Sequence, residues 1–490
     1  MYAPVRSPVL WLSAMLCISS MAHAGSLERV GTGSTVIDAD GASRGSVMSA
    51  DGRYVVFHSE ATTLDARDPD VTADVYVRDR LTGTTILLSI NNDGDKGNFD
   101  SFWPAISGNG RFVVFSSFAS NLVPGDTNNT SDVFLADRDA DSNGVFDEAG
   151  GVLLQRVSRA GDGSQANAFS AEATISADGR YVAFASDADN LAPDDTNLVS
   201  DIFLYEVATG AVERASVGGN GAQANDMSYE PFLSSDGRYA TFLSSADNIA
   251  PGDNNGVYWR GADIFVRDRI ARSTVLISIS TSGAGGNGRS EQGAMSSDGR
   301  YVVFVSRADN LAPDDINGAA DIFLHDRDTD GNGVFDEAGR SSTELISTAF
   351  DGRRALDDSE WPSISDDGRY VAFQSRATNL ATASQDGSPA WRIFVRDRVA
   401  RSTTLVGTAG ATRTGNDDSI WPSINSNGRY VAFSADAVES SGDGADRMTG
   451  IFIHDLVGGN APPVTGGGLR SAPAADLAVT AGTDPGIDEI

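Results

Sequence analysis

The feature that most constrains this chain is a four-residue anchor repeated seven times. Asp/Asn-Gly-Arg-Tyr/Phe begins at Asp51, Asn109, Asp178, Asp236, Asp298, Asp367 and Asn427, at intervals of 58, 69, 58, 62, 69 and 60 residues. Asp-Gly or Asn-Gly between apolar runs is a strong hairpin signal, because both turn residues must tolerate positive φ. An alternating run such as Tyr181-Val-Ala-Phe184 follows each anchor, then a second run such as Asp201-Ile-Phe-Leu204, then a short turn and a third run. With the run ahead of the anchor (Ala173-Thr-Ile175), each repeat holds four short antiparallel strands, here a to d. No 3.6-residue periodicity is sustained outside the first residues. Four-stranded units repeated around an axis make a β-propeller. The expected fold class is therefore all-β, a seven-bladed propeller of four-stranded antiparallel blades.

The ends of the chain say how such a ring closes. The last repeat stops after strand c, at Ile451-Phe-Ile-His454, while Leu27-Glu-Arg-Val30 precedes the first anchor without a blade of its own. The N-terminal strand is expected to complete the last blade and cover its open edge. Residues 1–24 read as a signal peptide. Arg6 supplies the n-region, Val9 to Ala22 the apolar stretch, and Ala22-His23-Ala24 the cleavage site. The only cysteine, Cys17, lies inside it, so no disulfide is expected. Residues 25–457 form the propeller, and 458–490, rich in Gly, Pro and Ala, read as a disordered tail. The expected location is periplasmic or secreted.

Composition removes some functions. The formal charge is −32, and Lys96 is the one lysine among 36 basic residues. A phosphate-binding surface needs a basic stripe, so nucleic acid is not an expected partner. No further segment has the ~20 apolar residues of a membrane helix. A monomer is expected.

The repeat Ile175-Ser-Ala-Asp-Gly-Arg-Tyr-Val-Ala-Phe184, followed by Asp201-Ile-Phe-Leu204, resembles the TolB-like (WD40-like) propeller repeat. Trp103-Pro104, Trp361-Pro362 and Trp421-Pro422 match its opening, and the resemblance spans residues 26–456. It implies a fold that serves as a binding scaffold, as a domain of peptidases and in polysaccharide-acting enzymes. TolB itself is usually six-bladed with an added α/β domain, and this sequence has neither feature.

Strand direction sorts the loops: d–a and b–c loops share one face, the top, and a–b and c–d loops the other. Eight residues before every anchor stands a serine, including Ser101, Ser170 and Ser228; three residues earlier stand Asn98, Asn167, Asn225, Asn287 and Asn416. These side chains either satisfy turn backbone groups or form a polar ligand-binding ring, a protein or glycan being the expected ligand. The b–c loops carry Asp-x-Asn/Asp-x3-Asp, as in Asp68/Asp70/Asp74, Asp126/Asn128/Asp132, Asp195/Asn197/Asp201 and Asp315/Asn317/Asp321, with a longer version at Asp253/Asn255/Asp263. They read as Asx turns or as calcium ligands.

Repeats two and five are longer at the c–d hairpin, by Asp139-Ala-Asp-Ser-Asn-Gly-Val-Phe-Asp147-Glu148 and Asp328-Thr-Asp-Gly-Asn-Gly-Val-Phe-Asp336-Glu337. Oxygen ligands at positions 1, 3 and 5, glycine at 6 and an acid at 9 are the front of an EF-hand-type calcium loop. The expected metal ligands are Asp139, Asp141, Asn143, Asp147, Asp328, Asp330, Asn332 and Asp336. Gly150 and Gly339 stand where the bidentate glutamate would be, so Glu148 and Glu337 are further candidates and calcium should be structural.

No catalytic set stands out. Gly41-Ala-Ser43-Arg-Gly45 fits G-x-S-x-G without a strand-to-helix elbow. His325 and His454 share a strand-c slot held elsewhere by Arg78, Ala136, Tyr205, Arg267 and Arg396, which reads as a variable exposed position. The expected function is a calcium-stabilised, non-catalytic scaffold, with a polysaccharide lyase or hydrolase acting at the top face as the alternative. Trp103, Trp361, Trp421 and Trp259 would stack sugars or wedge between blades.

Overall fold

The anchor motif accounts for the whole ring. In the computed structural model, residues 27–30, 39–253, 261–313, 315, 317–381, 390–406, 418–438 and 447–457 are described. The signal peptide, the C-terminal tail, Asn255, Trp259 and Asn416 lie outside them. The first strand, β1 (Leu27–Arg29), is followed by blade 1: β2 (Ser43–Met48), β3 (Tyr54–Ser59), β4 (Asp74–Asp79) and β5 (Thr84–Leu87). Blade 2 holds β6 (Ser101–Ile106), β7 (Phe112–Ser117), β8 (Asp132–Asp137) and β9 (Leu153–Arg156). Blade 3 holds β10 (Ser170–Ile175), β11 (Tyr181–Ser186), β12 (Asp201–Glu206) and β13 (Val212–Arg214). Blade 4 holds β14 (Ser228–Leu233), β15 (Tyr239–Ser244), β16 (Asp263–Asp268) and β17 (Ser273–Leu276). Blade 5 holds β18 (Ser290–Met295), β19 (Tyr301–Ser306), β20 (Asp321–Asp326) and β21 (Ser342–Leu345). Blade 6 holds β22 (Ser359–Ile364), β23 (Tyr370–Ser375), β24 (Arg392–Asp397) and β25 (Ser402–Val406). Blade 7 holds β26 (Ser419–Ile424), β27 (Tyr430–Val438) and β28 (Arg447–Asp455).

Each blade is one antiparallel sheet in the order a-b-c-d, and the seventh runs β26-β27-β28-β1. Leu27 pairs with His454, Glu28 with Ile453 and Arg29 with Phe452, so the N-terminal strand closes the ring as expected. Strand c of that blade starts at Arg447, earlier than the apolar run at Ile451 suggests. Strands a of neighbouring blades touch all the way round, β2 against β26 included, which makes them the inner ring. No α-helix occurs among the described residues, and none of their helices is long and apolar enough to cross a membrane.

Four residue types do four jobs at each anchor. In blade 1, Asp51 Oδ1 accepts from Arg53 N at 2.9 Å and from Ser49 Oγ at 2.7 Å, fixing the a–b turn. Gly52 takes φ 73°, and a Cβ there would collide with the Tyr430 ring of the preceding blade. Arg53 forms a two-bonded ion pair with Asp79 at the end of strand c. Tyr54 in turn covers Gly110 of blade 2. The aromatic-on-glycine contact recurs at all seven junctions, from Phe112 on Gly179 to Tyr370 on Gly428. Inside each blade an aromatic of strand b stacks on one of strand c, from Phe57–Tyr76 at 5.8 Å to Phe433–Phe452 at 6.0 Å.

Candidate functional site

The top-face serines are structural. Ser101, Ser170 and Ser228 are fully buried, and each bonds a serine of strand b: Ser117 at 2.8 Å, Ser186 at 2.8 Å and Ser244 at 2.9 Å. Ser43, which sits in the G-x-S-x-G string, makes the same bond to Ser59 at 2.9 Å. The asparagines are exposed and clip the d–a loop to the b–c loop of the same blade. Asn98 Nδ2 donates to Ser120 Oγ at 3.1 Å, Asn167 Nδ2 to Asp189 at 2.6 Å and Asn225 Nδ2 to Asp247 at 2.7 Å. The result is a braced polar rim on the top face.

The b–c acids face a cation that the chain itself supplies. In blade 1, Lys96 Nζ lies 2.8 Å from Asp70, 2.8 Å from Asp74 and 3.5 Å from Asp68. This is the one group among the described residues whose three carboxylates converge closely enough for a metal, and the sole lysine occupies it. Lys96 holds Asp70 down at about 2, whereas burial pushes Asp74 up to about 6. In blade 2, Arg156 stands 3.4 Å from Asp132 while Gln165 donates to Asp126 and Asp132. Arg214 and Gln223 do the same for Asp195 and Asp201 in blade 3.

The two long hairpins divide their acids between two jobs. Asp147 and Asp336, expected among the metal ligands, each grip an arginine: Asp147 accepts from both Nε and Nη2 of buried Arg138, and Asp336 accepts from Arg327 Nε at 2.9 Å. The remaining acids hydrogen-bond around the turn, without three carboxylates converging as they do at Lys96. Asp139 Oδ1 accepts from Gly144 N at 3.1 Å, Asn143 Nδ2 lies 2.9 Å from Asp141, and Glu148 accepts from the same amide. In the second hairpin Asp328 accepts from Gly333 N at 2.9 Å, and Asn332 Nδ2 donates to Glu337 at 2.6 Å. In the first hairpin it is Glu148, not Asp147, that faces the turn.

The arginine of these hairpins belongs to a ring-wide clamp. One residue past strand c, Arg80, Arg138, Arg269, Arg327 and Arg398 each lie over the anchor tyrosine of the preceding blade, 4.0–4.7 Å from its centroid. For Arg80, Arg269 and Arg398 the acid comes from strand d of the preceding blade: Glu28, Glu213 and Glu344. At the other two junctions that strand offers Ile86 or Val275, and the hairpin supplies Asp147 or Asp336 instead. Phe146 and Phe335 of the hairpins then pack on Tyr54 and Tyr239 at 5.5 Å.

The inner ring holds the residues that sequence reasoning missed. Six residues before each anchor the backbone bulges into positive φ, at Gly45, Trp103, Glu172, Glu230, Gln292, Trp361 and Trp421. Glu172 accepts from Glu230 N at 2.7 Å, Glu230 from Gln292 N at 2.7 Å, and Gln292 from Trp361 N at 2.7 Å. Burial pushes Glu172 up to about 7; burial, then Glu291 and Glu172, push Glu230 up to about 8. Arg289 bonds Glu291 at 2.6 Å beside them. Reading the bulge position as one column would have found this pair. Trp103 packs on the core shared by blades 1 and 2.

The histidine slot differs from its reading. His325 is 1% exposed and bonds Thr343 Oγ1 at 2.9 Å; Tyr205 and Ala136 are equally buried there. Burial holds His325 and His58 at about 4, neutral at pH 7. The slot varies because it lies between blades, where several shapes fit.

No family model and no curated protein matches this sequence. Among solved structures, the chain is similar to TolB from Acinetobacter baumannii at 14% identity and TM-score 0.36, over 81% of this chain and 77% of that one. It is similar to the β-propeller domain of the Trilobed protease from Pyrococcus furiosus at 11% identity and TM-score 0.47, over 86% and 99%. The acylaminoacyl peptidase of Pyrococcus horikoshii matches at 10% identity and TM-score 0.45, over 82% of this chain and 50% of that one. By its own strand order the chain is a seven-bladed β-propeller.

Proposed function

We propose that the chain is an exported, calcium-stabilised propeller that binds a protein or glycan through its top face without catalysing a reaction. The observation that supports this best is the rim itself. Exposed Asn98, Asn167 and Asn225 are held by paired loop residues, which gives a rigid polar surface at low ordering cost on binding. Calcium at Asp139, Asp141, Asn143 and Glu148, and at Asp328, Asp330, Asn332 and Glu337, would tie each hairpin turn together beneath the ring. Calcium would supply charge neutralisation there and no chemical step.

One observation favours the enzyme reading. Glu172 and Glu230 hold their protons near neutral pH beside the Arg289–Glu291 pair, as a general acid must. Neutral and acidic polysaccharides, assayed for co-sedimentation and for new reducing ends, separate the two. Binding without cleavage, unchanged in Glu172→Gln/Glu230→Gln, is expected of a scaffold. Cleavage that the double variant abolishes would transfer the function to the inner ring.

A further inference from the structure

A recess of about 100 Å3 opens between strand d of blade 3 and the c–d hairpin of blade 4, and four of its seven lining residues are arginines: Arg214, Arg267, Arg269 and Arg272. In a chain of net charge −32 that is a local reversal of sign. Glu213 is the one acid in the wall, and it is held by Arg269, whose other edge bonds Gly237 O at 2.9 Å. Arg267 is 9% exposed and bonds only neutral oxygens, Thr274 Oγ1 at 3.1 Å and Gly218 O at 3.3 Å. Arg214 is as deeply buried; its Nη1 stands 3.4 Å from Asp195 and 3.5 Å from Asp201, and its Nε has no hydrogen-bond partner among the described residues. Arg272 stands exposed on the hairpin turn with φ 54° and faces no carboxylate within bonding distance.

Asp195 and Asp201 answer Arg214, and Glu213 answers Arg269, which leaves Arg267 and Arg272 without a bonded counter-charge among the described residues. Burial holds the Arg267 guanidinium below the usual arginine range; Glu213 opposes this and Arg272 adds to it. Guanidinium groups with free N–H edges around a small recess are suited to an oxyanion, which takes several charge-assisted hydrogen bonds at once. The volume is well below that of pockets for whole small molecules, so it admits one ion or one terminal group.

Two other junctions come within one member of this set, and the rest lack more. Between blades 7 and 1, Gly83 stands at the Arg272 position; between blades 5 and 6, Leu345 stands at the Arg214 position beside Arg396, Arg398 and Arg401. Only between blades 3 and 4, among the described residues, do all four coincide. We propose that this recess is a binding site for a tetrahedral oxyanion, sulfate or phosphate, free or as the terminal ester of a larger ligand.

The test is thermal unfolding of the whole protein in inorganic sulfate, inorganic phosphate or a sugar monosulfate, against sodium chloride of equal ionic strength. EDTA is present throughout, so that phosphate cannot act by sequestering calcium. Chloride controls for general screening of a highly acidic surface. The expected result is a saturable rise in Tm beyond that in chloride. In Arg272→Asn, which keeps a residue tolerant of positive φ, the apparent Kd should weaken by about tenfold or more. Arg401→Asn, at the matching turn of blade 6, should keep the response. A tighter sugar sulfate than inorganic ion would identify an ester as the ligand; the reverse would identify the free ion. No shift beyond chloride, an undiminished shift in Arg272→Asn, or an equal loss in Arg401→Asn would overturn the proposal.

Discussion

Two acid-rich regions of this propeller look alike in sequence and are solved differently. On the top face, Asp68, Asp70 and Asp74 surround an ammonium group that belongs to the chain, and Arg156 and Arg214 do the same service in blades 2 and 3. In the first c–d hairpin, Asp139, Asp141, Asn143 and Glu148 bond around a turn while Arg138 is taken by Asp147 and Arg111 by Asp137; in the second, Arg340 lies 3.6 Å from Asp330. Oxygen spacing alone therefore does not identify a metal site. What separates the two is where the cation comes from: Lys96 reaches the b–c acids from another loop, while Asp330 meets Arg340 of its own hairpin.

The largest effect should come from the hairpin acid that holds an arginine. Asp147→Asn leaves buried Arg138 without its charge partner, and breaking one side of a buried pair costs about 3–5 kcal/mol. The loss should be the same in calcium and in EDTA, measured by urea unfolding. A loss seen only in calcium would put Asp147 back among the metal ligands.

Next comes Lys96→Ala. Removing the ammonium leaves Asp68 and Asp74 buried and facing each other, a destabilisation of about 3 kcal/mol. Because the three carboxylates lie within 4.8 Å of one another, millimolar calcium should recover part of it. A variant no more calcium-responsive than the wild type would show that these acids need a lysine and cannot use a metal.

Calcium removal from the wild type should rank third. A ligand at a hundredfold excess over Kd stabilises by ~2.7 kcal/mol, so EDTA should lower Tm and calcium restore it. Magnesium, with its strict octahedral demand, should restore less. Replacing Asp139, Asp141, Asp328 and Asp330 with alanine should remove most of the response; a full response in that variant would move the metal elsewhere.

The smallest effect is a pH dependence. Glu230 binds its proton more tightly folded than unfolded, so its contribution favours the folded state at low pH. That contribution is lost as pH rises from about 4.5 toward about 8. Glu230→Gln keeps an acceptor for Gln292 N and should be more stable than wild type at pH 8, with the gap narrowing as pH falls. The two stability curves should converge near pH 5. Parallel curves would mean that Glu230 is solvated and ordinary.

Much of this architecture was readable because it repeats. Asp-Gly-Arg-Tyr states a turn, a positive φ and an aromatic, and seven copies state a ring. The unpaired Leu27–Val30 run even states its closure, since an edge strand without a partner and a blade without a fourth strand solve each other. The slots that vary between copies were harder. His325 reads as exposed because Arg, Ala and Tyr share its place in other blades, yet the place is buried at His325, Tyr205 and Ala136. Ser101, Ser170 and Ser228 read as a mouth because they recur, and they recur because each bonds a second serine sixteen residues on.

The sequence by itself determined the number of blades, the strands, the closing strand and the two hairpins that carry calcium-like spacing, since all of these rest on local periodicity and turn chemistry. The tertiary structure decided which acid meets which cation. Lys96 reaches a loop more than twenty residues away, Glu213 and Arg269 come from different blades, and Asp147 turns away from its neighbours toward Arg138. Local pattern cannot encode such pairings, because a charge is neutralised by whatever packs against it, and what packs against it is fixed only when the ring closes.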